Sequence, residues 1–151
     1  MARAKKVRPR VPVPDSGDEC ATLHLLFARA DLLRERWLEA SKNGHTAAGA
    51  EGAATVESGF GIPIWVFATL HLASLYTVVE AWGRIELSDP GIDLILKEQS
   101  RTDQLLALRN GVFHFGAVNN PSIMYVLENR DMLDWAKRLH EAFKRHLAAK
   151  A

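Results

Sequence analysis

From Ile62 to Val79 the chain carries no Asp, Glu, Lys or Arg. An uncharged stretch that long leaves two outcomes for a helix: crossing a bilayer, or lying at the centre of a bundle. Thr69, His71, Ser74, Tyr76 and Thr77 are scattered through it, and Glu80 and Arg84 follow. No polybasic flank or second apolar span supports insertion. The pattern therefore predicts a central helix over 62–86, buried on most sides, with Pro63 at its first position. Glu80 precedes Arg84 by four residues, the spacing of a pair along one helix. The alternative is that Glu80 faces a functional cleft.

A central helix needs partners, and the flanking sequence supplies them. Over 18–43, Leu23, Leu26, Phe27, Ala30, Leu33, Trp37 and Leu38 recur at three-to-four spacing. Asp15, Ser16 or Asp18 is placed to cap this helix, and Asn43-Gly44 to stop it. His24 beside the stripe reads as a surface or half-buried residue. Residues 44–61 are rich in Gly and Ala and read as a mobile connection or a weak helix around 47–56. A short helix over 88–98 begins with Ser88 or Asp89 as cap and Pro90 in the first turn. Thr102 caps the next helix, through Leu105, Leu106, Leu108 and Val112, and 116–121 form a turn. Asp131 caps the last helix, whose stripe is Met132, Trp135, Ala136, Leu139, Phe143 and Leu147. No strand alternation, repeat or coiled-coil heptad is present. The predicted fold class is all-α, an up-and-down bundle of four to five helices.

The 151 residues suit one domain with a tail, and 48% hydrophobic content can supply its core. Arg3, Lys5, Lys6, Arg8 and Arg10 concentrate the positive charge in the first ten residues, so the body is near neutral. Three prolines, Pro9, Pro12 and Pro14, block a helix there. Residues 1–17 are expected to be a disordered basic arm, a solubilising leader in preference to a phosphate-seeking one. Residues 18–151 form the helical domain. No secretory signal is read at the start, and the single Cys20 forms no internal disulfide. A cytoplasmic setting follows.

Most familiar chemistry is missing. One cysteine builds no thiolate zinc site, and His140-Glu141 with His146 is not HExxH. Gly59-Phe60-Gly61 lacks the glycine, strand and lysine of a phosphate loop. What remains is Arg109-Asn110-Gly111-Val112-Phe113-His114. A guanidinium presents a planar fork to phosphate, an amide can donate to or orient a neighbour, and an imidazole moves protons near neutral pH. These are the ingredients for cleaving RNA through its own 2′-hydroxyl, with no metal or other cofactor needed. On an ideal helix, side chains five residues apart point about 140° away from each other. The helix is therefore expected to end, loosen or kink near Gly111 so that Arg109 and His114 serve one point. The plainer reading is an ordinary helix charge and a polar residue at a helix end.

The stretch LLALRNGVFHFG resembles the HEPN superfamily (higher eukaryotes and prokaryotes nucleotide-binding). That family's signature is Arg, a polar residue that is often Asn, a spacer and His, which Arg109, Asn110 and His114 match with four intervening residues. The helical layout of residues 20–149 is similar too. The resemblance implies a bundle that forms a homodimer, pairing two motifs across a two-fold axis. It also implies metal-independent endoribonuclease activity on RNA in toxin–antitoxin or phage-defence systems, with a possible nucleotidyltransferase-type or other antitoxin as partner. One branch of the family has tyrosine two residues after the histidine, as a target for adenylylation; Gly116 stands there, which speaks against that mode. Inactive members imply an alternative, a module that binds a nucleotide or a protein partner without catalysis.

Overall fold

A computed structural model describes residues 16–47, 64–113 and 126–150. The expectations for Asp15, Pro63, His114, the 116–121 turn and most of the basic arm lie outside these residues. The described chain is an all-α bundle, with no strand among the described residues. Its helices are α1 (Ser16–Ala47), α2 (Ile64–Arg84), α3 (Pro90–Leu96), α4 (Gln99–Phe113) and α5 (Arg130–Ala148), with helical backbone also at 126–128.

The boundaries follow from local chemistry, and several differ from the expected ones. α1 takes in Ser16 and Gly17, which had been assigned to the arm, and places Asp18 and Glu19 in its first turn, where carboxylates favour the dipole. It also continues through Asn43-Gly44 to Ala47. A glycine inside a helix costs only about 1 kcal/mol, which is a weak stop signal when the turns on both sides persist. α4 begins at Gln99 instead of being capped by Thr102. The Glu98 carbonyl already accepts from the Arg101 and Thr102 amides, at 2.9 and 3.3 Å. α5 is capped by Asn129, whose Oδ1 accepts from the Met132 amide at 3.1 Å, and Asp131 lies within its first turn. α3 keeps its expected start: Asp89 Oδ1 accepts from the Gly91 and Ile92 amides, and Pro90 opens the helix.

α1 lies along α2, α2 along α4, and α3 against α5. α1 and α5 run antiparallel, since Phe27 meets Phe143 while Trp37 shares a pocket with Leu133. The core unites Leu23 and Phe27 of α1, Leu72, Leu75 and Val78 of α2, Leu105 and Leu108 of α4, and the α5 stripe. Met132, Trp135, Leu139 and Phe143 are completely buried, as their spacing predicts.

α2 is long and apolar enough to cross a membrane, and 44% of its apolar window is buried inside the fold. Two of its threonines are satisfied locally, while the buried Ser74 hydroxyl has no partner among the described residues. Thr69 Oγ1 donates to the Trp65 carbonyl and Thr77 Oγ1 to that of Ser74, both at 2.6 Å. This is compatible with the core helix of a soluble protein. α2 ends at Arg84, and Glu86 beyond it adopts a left-handed backbone with φ 52°.

Candidate functional site

Arg109 and Asn110 occupy the last turns of α4, on the side that faces α2. Arg109 Nη1 donates to Asn110 Oδ1 at 2.9 Å, and Nη2 reaches Glu80 Oε2 on α2 at 3.5 Å. The arginine side chain is 25% exposed, so part of the fork faces solvent while Nε is buried with no partner among the described residues. Glu80 therefore pairs across helices with Arg109 rather than along α2 with Arg84. Tyr76, one turn before Glu80, completes the patch. Burial raises its phenol above the ordinary value, Glu80 adds to that and Arg109 opposes it. Arg29 of α1 sits 6.0 Å over the ring of Phe113, bringing a second guanidinium to the end of α4.

The expected end or kink does not fall at Gly111 itself, and the step from Phe113 to His114 lies outside the described residues. α4 continues through Gly111 to Phe113, two residues further on. Leu105 and Leu108 are fully buried and anchor this helix from within, which outweighs one glycine's poor propensity. Arg109 and Asn110 are thus brought together on a regular helix. His114, the third residue of the motif, lies outside the described residues.

Two other polar clusters join residues that no local spacing relates. In the first, His140 Nε2–H donates to Asp31 Oδ1 at 2.8 Å, and Lys144 Nζ donates to Asp31 at 3.1 and 3.2 Å. His71 packs edge-on to His140 and donates from Nδ1 to the Ala30 carbonyl at 3.0 Å. Burial, with His140 adding to it, pushes the His71 imidazole down to about 4. Burial also lowers His140, against the opposing pull of Asp31. Burial would raise Asp31, but the hydrogen bonds from His140 and Lys144 outweigh it and hold the carboxyl below its ordinary value. In the second cluster, His146 Nδ1–H donates to Asp89 Oδ2 at 2.9 Å beside Trp82. That hydrogen bond, followed by those from Ile92 and Gly91, keeps Asp89 low. The available signal was position. His140 lies between Ala136 and Phe143 on the buried arc of α5, and His71 stands inside the uncharged run.

Chemically, the Arg109 patch can hold an anion, while the two histidine clusters tie helices together. Compared with family models, curated proteins and solved structures, the chain gives no match.

Proposed function

We propose that this chain is a HEPN-type, metal-independent endoribonuclease that acts as a cytoplasmic homodimer. The observation that carries the reading is the junction of Arg109 with Asn110 at the solvent-reaching end of α4. It presents a fork with fixed backbone and partly free donors, suited to a phosphodiester. In the proposed reaction a ribose 2′-hydroxyl attacks the adjacent phosphorus and the 5′-oxygen leaves. His114 transfers the proton as general base or acid. Arg109 stabilises the charge that grows on the non-bridging oxygens, and Asn110 holds the guanidinium in register. A toxin–antitoxin or defence setting, with a neutralising partner such as a nucleotidyltransferase, belongs to the same proposal.

One observation favours a second reading, a non-catalytic module that binds a nucleotide or a protein partner. Glu80 places a carboxylate against the same guanidinium that a substrate phosphate would occupy. Incubation of the purified chain with single-stranded RNA in EDTA separates the two. Cleavage by the wild type, abolished in both Arg109→Ala and His114→Ala, supports the enzyme. Equal nicking by all three proteins attributes the activity to contamination and removes the assignment.

A further inference from the structure

Cleavage through a ribose 2′-hydroxyl moves two protons. One leaves the attacking oxygen and the other reaches the departing 5′-oxygen. A single imidazole does not accept and donate in the same step, so His114 covers one transfer only. The other needs a second titratable group beside the phosphate. The Arg109 fork has one: Glu80 Oε2 on α2 lies 3.5 Å from Nη2, and the Glu80 side chain is 42% exposed, open to a substrate.

The other polar groups around the fork are less suited to take a proton. Asn110 does not titrate, and its Oδ1 already accepts from Arg109 Nη1. Tyr76 holds its proton more tightly than an ordinary phenol, because burial and Glu80 both oppose the phenolate. Asp103 stands six positions before Arg109 on α4 and accepts from Gln99 Nε2 at 2.9 Å. Glu80 is thus the carboxylate that the guanidinium touches among the described residues. Nη1 and Nη2 each carry a second N–H beyond the one directed at Asn110 or Glu80. A phosphate on those donors brings its ribose next to the carboxylate, whose ionised oxygens only accept.

We propose that Glu80 is the general base of this site and His114 its general acid, an assignment that rests on the ribonuclease reading above. As the 2′-oxygen bonds to phosphorus, its proton passes to a Glu80 carboxylate oxygen. The bond between phosphorus and the 5′-oxygen breaks, and that oxygen takes a proton from the His114 imidazolium. The products are a 2′,3′-cyclic phosphate and a 5′-hydroxyl. Water then takes the proton from Glu80 and returns one to His114.

The test uses the full chain and two single-stranded RNAs, one ordinary and one with sulfur in place of the 5′-oxygen at the cut. A thiolate leaves without being protonated, so the second substrate dispenses with the acid and still needs the base. Glu80→Gln lowers kcat on ordinary RNA by about 100-fold or more. It does not weaken RNA binding, measured in the His114→Ala background. Glu80→Asp keeps a carboxylate and recovers part of the loss. The sulfur substrate raises cleavage by His114→Ala about 100-fold and leaves Glu80→Gln impaired. Equal kcat for Glu80→Gln and wild type on ordinary RNA, with His114→Ala inactive, overturns the assignment and leaves the ribonuclease reading standing. Rescue of Glu80→Gln by sulfur, or weaker RNA binding in that variant, overturns it in the same way. No cleavage by the wild type removes both.

Discussion

His140 on α5 and Asp31 on α1 share a hydrogen bond of 2.8 Å, at a ring with no exposed surface. Lys144 on the same carboxylate, with Arg34 and Glu141 paired nearby, closes a polar seam between the two helices. His71 of α2 packs against this seam as a neutral ring.

Acid is therefore expected to loosen the bundle. The folded pKa of His71 lies below its ordinary 6.5, at about 4, so the unfolded chain binds more protons between those values. The stability held by keeping this ring neutral is complete above about pH 6.5 and is lost as pH falls toward 4. Asp31 acts in the same direction, since its contribution disappears as pH drops through its lowered pKa. Keeping the His71 ring neutral is worth roughly 3 kcal/mol, or about 10 °C in Tm between pH 7 and pH 4. Thermal melts by circular dichroism at unit pH steps measure it. His71→Gln should flatten the slope, and an equal slope in the variant would contradict the account.

The caps are ranked by what each carboxylate or amide holds. Asn129→Ala removes one bond to the Met132 amide and should cost about 1 kcal/mol in urea unfolding. Asp89→Ala should cost more, because the same side chain caps α3 and accepts from His146 of α5. A smaller effect at Asp89 than at Asn129 would show that the link to His146 adds nothing.

Glu86 adopts a left-handed backbone that suits glycine, at φ 52°. Glu86→Gly relieves a steric cost of about 1 kcal/mol, offset in part by the greater freedom of the unfolded chain. A small rise in the urea midpoint with an unchanged slope is the expected outcome; a fall would indicate that the glutamate side chain holds the turn.

Glu80 competes with phosphate for Arg109 under the proposed function. At 3.5 Å, with both side chains partly exposed, this pair is weak. In a His114→Ala background that does not cut, Glu80→Gln should tighten binding of single-stranded RNA by about threefold. Fluorescence anisotropy gives the affinity directly. Weaker binding would recast Glu80 as a support that aims the guanidinium.

Much of this architecture is legible because apolar spacing reports directly on burial. The α5 stripe and the Asp89-Pro90 helix start needed nothing beyond the chain. Cap identity at α5 was harder, because Asn129 and Asp131 are both good caps two residues apart and the choice depends on how the preceding chain enters. The Arg109–Glu80 pair joins residues 29 apart, a relationship that local spacing does not report. The partners of His71 and His140 are hidden from the sequence for a related reason. A periodicity count marks which face is inward, while the partner that makes a buried imidazole tolerable comes from a different helix.

Gly111 does not loosen α4, and this determines how the Arg109 patch can work. Carried on an unbroken helix seated on α2, the guanidinium can adjust through its own side-chain torsions but not through a backbone hinge. Under the proposed function, a substrate phosphate would therefore have to be brought to the guanidinium, since α4 does not bend at Gly111 to meet it.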